Sequence, residues 1–237
     1  KVQKDALLNA LTTFDDAIKA DEKNGQAYAW KACALGQGLF RGYIKEDFNT
    51  VWKQAEDNLK KARELNENDF EVHRLMSEVS LAMKDFRAAQ RHSKICYEQV
   101  PNDPRVLSVY GEVCLRTGKV DEGLDAVKLA LEIDPVAQGK TNADPRHATV
   151  IFGYYMARDR EGCLEQINHL EEIDFKSWLL TTKICSDEEY EFSNLDWFKD
   201  GKKLFSDKDF EKEVQDFRLN NDSATETLIS FAKELFK

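Results

Sequence analysis

His73 and Ser77 lie one helical turn apart with Glu78 beside them, the residue types of a base, a nucleophile and an acid. A nucleophilic site also needs a third group that orients the base, and no carboxylate stands at a recognised spacing for that task. His73 therefore reads as a residue packed between helices. His92, His147 and His169 form no His-x3-His pair, and Cys33, Cys96, Cys114, Cys163 and Cys185 are scattered singly without a Cys-x2-Cys. Neither a zinc site nor a disulfide framework has that spacing. The thiols read as small core residues in a reducing cytoplasm. No catalytic residue, metal or cofactor is assigned, and an enzyme is not expected.

Gly36-Gln37-Gly38-Leu39-Phe40-Arg41-Gly42 has the glycine content of a phosphate-cradling loop. Such loops sit between a strand and a helix, whereas this stretch follows a helical pattern, so it reads as a flexible helix-to-helix connection. Asn221-Asp222-Ser223 has the form of a glycosylation acceptor and reads as a helix start. The acidic run from Asp187 to Glu191 reads as a solvated loop, with docking of a basic partner as the alternative.

The formal charge of -10 argues against broad contact with nucleic acid phosphates, which needs clustered Lys and Arg. No apolar run reaches the roughly 20 residues that cross a bilayer, and Lys1-Val2-Gln3-Lys4-Asp5 lacks the apolar stretch of a secretory signal. A soluble cytoplasmic chain with no nucleic acid or membrane partner is expected. Because the first residue is Lys1, a piece of a larger protein is expected too.

The elements that position these residues follow from a repeat. At an offset of 34, Ala55, Ala89 and Gly123 align, as do Trp52, Phe86 and Val120, then Ala62, Cys96 and Ala130, and finally Pro101 with Pro135. Small residues are wanted where two antiparallel helices approach, large ones beside them, and Pro where the second helix stops. The same second-helix pattern occurs upstream at an offset of 45, with Leu7, Ala10, Phe14 and Ala17 matching Trp52, Ala55, Leu59 and Ala62, which implies 11 inserted residues between Leu35 and Trp52. Downstream, Tyr110-Gly111 recurs as Phe152-Gly153 and Val127 as Ile167, giving a looser fourth unit after a longer loop around Ala137 to Asp144. Helical units are expected at about 4–20, 25–66, 70–100, 104–134 and 146–173. The first helix, lacking a partner, either begins mid-repeat or acts as a cap.

Beyond Cys185 the period is lost, and the aromatic-rich 186–237 stretch is expected to form a helical cap over the 1–185 repeats. Phe210, Val214 and Phe217 recur at helical spacing, then Leu228, Phe231 and Leu235, with Ser223-x-x-Glu226 resembling a capping box.

A 34-residue period with small residues at two fixed places and a closing Pro resembles the tetratricopeptide repeat. The third unit matches best, through Leu107, Tyr110, Gly111, Cys114, Gly118, Val120, Val127, Ala130 and Pro135, while Gly123 stands where Ala is usual. The implied fold is all-α, a right-handed solenoid of antiparallel helix pairs. Asn68-Asp69-x3-His73, Phe86-x2-Ala89-x2-His92 and Pro101-Asn102-Asp103 further resemble the repeat regions that follow bacterial class III adenylate and guanylate cyclase domains or winged-helix regulator domains, over about 60% of the chain. That resemblance implies the sensory or interaction part of a bacterial signalling protein.

It also implies a concave groove lined by the second, fifth, ninth, twelfth and thirteenth residues of each first helix. These are Glu71, Arg74, Glu78, Leu81 and Ala82 in the second unit, Arg105, Ser108, Glu112, Leu115 and Arg116 in the third, and His147, Val150, Tyr154, Ala157 and Arg158 in the fourth. Arg74, Arg105, Arg116 and Arg158 could fork onto carboxylates of a bound peptide, or pair with Glu71, Glu78 and Glu112 on the same face. A chaperone-type clamp would need Lys and Asn at the places of Arg74 and Glu78 and Asn at that of Val109, so it is absent. The expected partner is a protein or peptide segment, and self-association into a homo-oligomer is the alternative.

Overall fold

The computed structural model describes residues 2–137 and 140–237, leaving Lys1, and Gln138 and Gly139 of the long loop, outside the described residues. Among the described residues there are thirteen helices and no strand, the all-α class expected. None of these helices is long and apolar enough to cross a membrane. The chain divides into two compact units, with the boundary in sequence between Pro101 and Asn102.

Most helices are opened by a short polar side chain. Asn24, Asp47, Asp69, Asp85, Asp103, Asp159, Asp174, Asp209 and Asn221 each accept a bond from a first-turn amide of the helix that follows. Such a cap satisfies an otherwise unpaired donor and contributes about 1 kcal/mol. The last helix is capped by Asn221, whose Oδ1 accepts from Ala224 N at 3.0 Å, so Ser223 lies inside the first turn and the expected Ser223–Glu226 box does not start it.

The first unit holds α1 (Val2–Ala20), α2 (Gly25–Phe40), α3 (Phe48–Leu65), α4 (Phe70–Ala82) and α5 (Phe86–Gln99). The eleven extra residues of the α2–α3 pair are shared out: α2 is three longer than α4, its link to the next helix four longer, and α3 four longer than α5. Gly36 and Gly38 are therefore helical, and the expected loop shrinks to a turn after Phe40 in which Gly42 takes φ +64°. Gly38 is small for a packing reason, since a Cβ there would lie 2.5 Å from Ile44 Cδ1 and 3.2 Å from Leu7 Cδ2.

The second unit holds α6 (Pro104–Arg116), α7 (Val120–Ile133), α8 (Asp144–Ala157), α9 (Arg160–Ile167), α10 (Phe175–Asp187), α11 (Asp196–Leu204), α12 (Phe210–Gln215) and α13 (Asp222–Leu235). From α4 to α7 the helix starts repeat at 34 residues, the tetratricopeptide arrangement. From α6 and α7 to α8 and α9 the offset is 40, so the first helix of the fourth unit is two residues out of the register implied by Phe152-Gly153. Both glycines face α7, but Gly111 meets the helix that follows it, with a Cβ 2.6 Å from Val127 Cγ1 and 2.8 Å from Gly123 O, whereas Gly153 meets side chains of the helix before it, Leu124 at 2.8 Å and Val127 at 3.5 Å. The expected helix through Phe210, Val214 and Phe217 stops at Gln215, leaving Phe217 in the link to α13.

The core of this unit is aromatic and centres on Trp178, which is wholly buried. Its ring stacks on Phe198 at 5.7 Å and packs on Phe205 at 5.6 Å and Phe236 at 5.5 Å, while Nε1 donates to Phe198 O at 3.2 Å. A Cβ on Gly201 would lie 2.1 Å from Trp178 Cδ1, so only glycine lets α11 close over the indole.

Candidate functional site

In the first unit the chemistry-bearing residues satisfy one another. Arg74 is buried, with Nη2 donating to Glu71 Oε1 at 2.7 Å and Nη1 to Glu78, and its guanidinium lies 5.4 Å from the Trp30 ring. Burial works against its charge, but Glu71 and Glu78 outweigh it and raise the guanidinium pKa. Of the two arrangements open to Arg74, the structure holds the internal pair.

His73 is buried, as its place in the repeat suggested. Its Nε2 lies 2.7 Å from Glu67 O, which can only accept, so Nε2 carries the proton. Its Nδ1 lies 2.8 Å from Nδ1 of His92, so the two rings share one proton between those nitrogens. Burial, then the neighbouring His73, push His92 down to about 4. Ser77 is a packing residue: its Oγ donates to Ala89 O at 3.1 Å where the two backbones cross.

In the second unit the first-helix face is built differently. Arg105 folds back on its own N-cap, donating to both oxygens of Asp103, at 2.7 Å through Nη2. Ser108 donates to Pro104 O at 2.9 Å and receives Arg146, which also donates to Asp134 O at 3.1 Å. His147 meets Gln166 Oε1 on α9 at 2.8 Å and stacks on His169, and Tyr154 packs against Gly162 of α9. Those two residues face their own second helix, as the 40-residue register requires. At that register the groove places of α8 fall on Phe152, Tyr155 and Met156.

Arg116 and Phe152 meet there. Nη1 of Arg116 donates to Glu112 Oε2 at 2.7 Å, the guanidinium lies 4.7 Å from the Phe152 ring centre, and Nη2 donates to the main-chain oxygen of Phe217 at 3.3 Å. Lys176 of α10 lies 4.1 Å from the same ring centre and 6.0 Å from that of Phe217. Burial and then Arg116 lower Lys176 to about 8. Burial would raise Glu112, but Arg116 and Lys176 hold it below the usual carboxylate range. Sequence reasoning missed Lys176 and Phe217, since neither lies in a matched repeat position.

Beside this cluster a cleft of about 420 Å³ opens between the ends of α6 and α8 and the start of α13, with Phe152, Tyr155, Met156 and Leu219 as its apolar wall and Arg116 and Arg158 at its rim. Arg158 is exposed, takes φ +59°, lies 5.8 Å from the Tyr155 ring and pairs with Asp187 at 3.6 Å. Asp187 also receives Lys183, and Glu188 receives Arg160 at 2.7 Å, so the acidic run is partly paired. Within the described residues no cluster of three metal-ligating side chains occurs.

No family model matches the chain, and no curated protein matches it by sequence. Among solved structures, Pseudomonas aeruginosa pilF is similar over 92% of this chain and 91% of that one, at 15% identity and a TM-score of 0.62, which shows a shared fold. YrrB, described as a TPR protein with an unusual peptide-binding site, covers 78% of this chain and 84% of its own at 17% identity and a TM-score of 0.47. Yeast Tom70 covers 95% of this chain and 42% of its own at 16% identity and a TM-score of 0.49.

Proposed function

We propose that the chain is a protein-interaction module that binds a peptide or protein segment in the cleft of its second unit. One observation carries this: aromatic, methionine and arginine side chains converge at the groove places of α6 and α8 around an open volume suited to a large side chain and its flanking backbone. The aromatic and Met wall supplies apolar area, and Arg158 at the rim can reach a carboxylate or a carbonyl. The resemblance of Asn68-Asp69-x3-His73 and its companions to cyclase- and regulator-associated repeats supports placement in a bacterial signalling protein.

Random dodecapeptides displayed on phage, selected on the whole chain, test the reading. Selected peptides are expected to lose at least fivefold in affinity on Tyr155→Ala and on Arg158→Glu. Equal affinity for both variants and the parent would overturn it.

A second reading has its own observation. Leu129 and Ile133 are 37% and 47% exposed one turn apart near the end of α7, and Val136 just beyond it is 45% exposed, apolar surface that supports self-association. Ile133→Glu would then lower the mass measured by light scattering; an unchanged mass would remove this reading.

A further inference from the structure

We infer that the link Asp216–Asn221 acts as an internal ligand of the first-helix face, so that a partner enters by replacing it with a segment carrying an aromatic and an aliphatic residue two apart. The inference rests on the peptide-binding reading and adds what the partner must look like and what holds the face shut.

The link lies outside the helices, and it meets groove places of α6 and α8 through Arg116 and the cleft wall. Its main chain is held by a groove side chain, since Arg116 donates to Phe217 O. Phe217 is buried against Phe175, at 6.1 Å between ring centres, and under Lys176. Two residues on, Leu219 is buried and forms part of the cleft wall with Phe152 and Met156. Phe217 thus anchors the link on α10 and Leu219 anchors it in the cleft, while the amides of Asp216, Phe217 and Arg218 turn back onto Lys212 O, Val214 O and Gln215 O at the end of α12. The cleft continues from Leu219 toward Arg158, so the face is occupied at one end and open at the other.

The residue between the two anchors gives the link a built-in weakness. Arg218 has φ +54°, in the left-handed region that residues with a Cβ disfavour and β-branched residues disfavour most. Burial, aided by Arg116, lowers its pKa, so the link also carries a charge toward a site that already holds Arg116 and Lys176, with Asp216 and Glu112 acting the other way. A foreign segment with the same two anchors and no left-handed residue would avoid the backbone penalty.

The test uses the full chain with Arg218→Val, Arg218→Ala and Arg218→Gly, which all remove the same side chain and differ only in how readily they take φ +54°. The probe is a fluorescein-labelled synthetic peptide with the sequence of residues 214–222. Its affinity, by fluorescence anisotropy, should fall in the order Val, Ala, Gly, with about tenfold between the first and last, the size of the left-handed penalty. Hydrogen exchange of the 216–221 amides should slow in the same order. If Arg218→Val does not fold, Arg218→Gly should still bind the probe several-fold more weakly than Arg218→Ala. Equal affinity and equal exchange across the set, or no binding to any of them, overturns the internal-ligand inference. Should the phage-selected peptides meanwhile still lose affinity on Tyr155→Ala, the cleft reading stands and only the internal ligand falls.

Discussion

The same repeat places hold opposite chemistry in the two units. His73 and His92 of α4 and α5 correspond, 34 residues on, to Leu107 and Ala126 of α6 and α7, a polar buried pair against an apolar one. Ser77 and Ala89 correspond to Gly111 and Gly123, so a hydroxyl bonded to a carbonyl in one unit becomes two bare backbones in contact in the other. Arg74 is closed by two carboxylates of its own helix, whereas Arg116 shares one carboxylate with an aromatic ring and a main-chain oxygen 101 residues away. One helix-pair geometry thus tolerates either a polar or an apolar crossing, and the surroundings decide which first-helix side chains are tied up by their own helix.

The largest test of this contrast is Trp178→Ala. The second unit has one aromatic core around this residue, while the first divides its core into two small clusters. The substitution should cost about 3–5 kcal/mol in urea unfolding. A cost under about 1 kcal/mol would mean that the aromatic core does not hold the second unit together.

The helix crossings come next. A Cβ on Gly123 would lie 2.8 Å from Leu115 N and 2.9 Å from Gly111 O, so Gly123→Ala should destabilise by about 2 kcal/mol through backbone displacement. At the matching places Ala55 and Ala89 are already seated with 1% and 0% exposure, so there the methyl stabilises, and Ala89→Gly should cost about 2 kcal/mol from helix propensity and a lost methyl. A gain in stability from either substitution would erase the distinction between the crossings.

Acid should act on the first unit through the histidine pair. An unfolded His92 takes up a proton near 6.5, whereas in the folded chain burial and His73 hold it at about 4, so the unfolded state binds the proton first. The contribution of His92 is whole above pH 6.5 and is lost as the pH falls from 6.5 through 4, by roughly 3 kcal/mol. Importing the third unit's residues, as His73→Leu with His92→Ala, should flatten that acid limb in denaturant titrations at pH 7.5 and pH 4.5. An unaltered limb in the double variant would place the acid sensitivity elsewhere.

What could be read from the sequence divides along the same line. From α4 to α7 the small-residue places and the caps Asp69 and Asp103 lie in strict register, so local pattern and helix contact coincide. The fourth unit misleads because Phe152-Gly153 imitates Tyr110-Gly111 in residue type while Gly153 accommodates the preceding α7, so Tyr154 and His147 turn to α9 and the groove places pass to Phe152, Tyr155 and Met156. Gly36 and Gly38 looked like a loop because glycine signals a turn by composition, yet Gly38 admits Ile44 beside a continuing helix. The contact between Arg116 and Phe217 has no local signature, as nothing periodic joins residues so far apart in the chain.

The most direct measurement is hydrogen exchange of the whole chain with and without a phage-selected peptide. Binding in the second-unit cleft should slow exchange in 115–118, 152–158 and 219–224. Protection confined to α4, around Arg74, with the cleft unchanged, would contradict the assignment of the peptide site to Phe152, Tyr155 and Arg158.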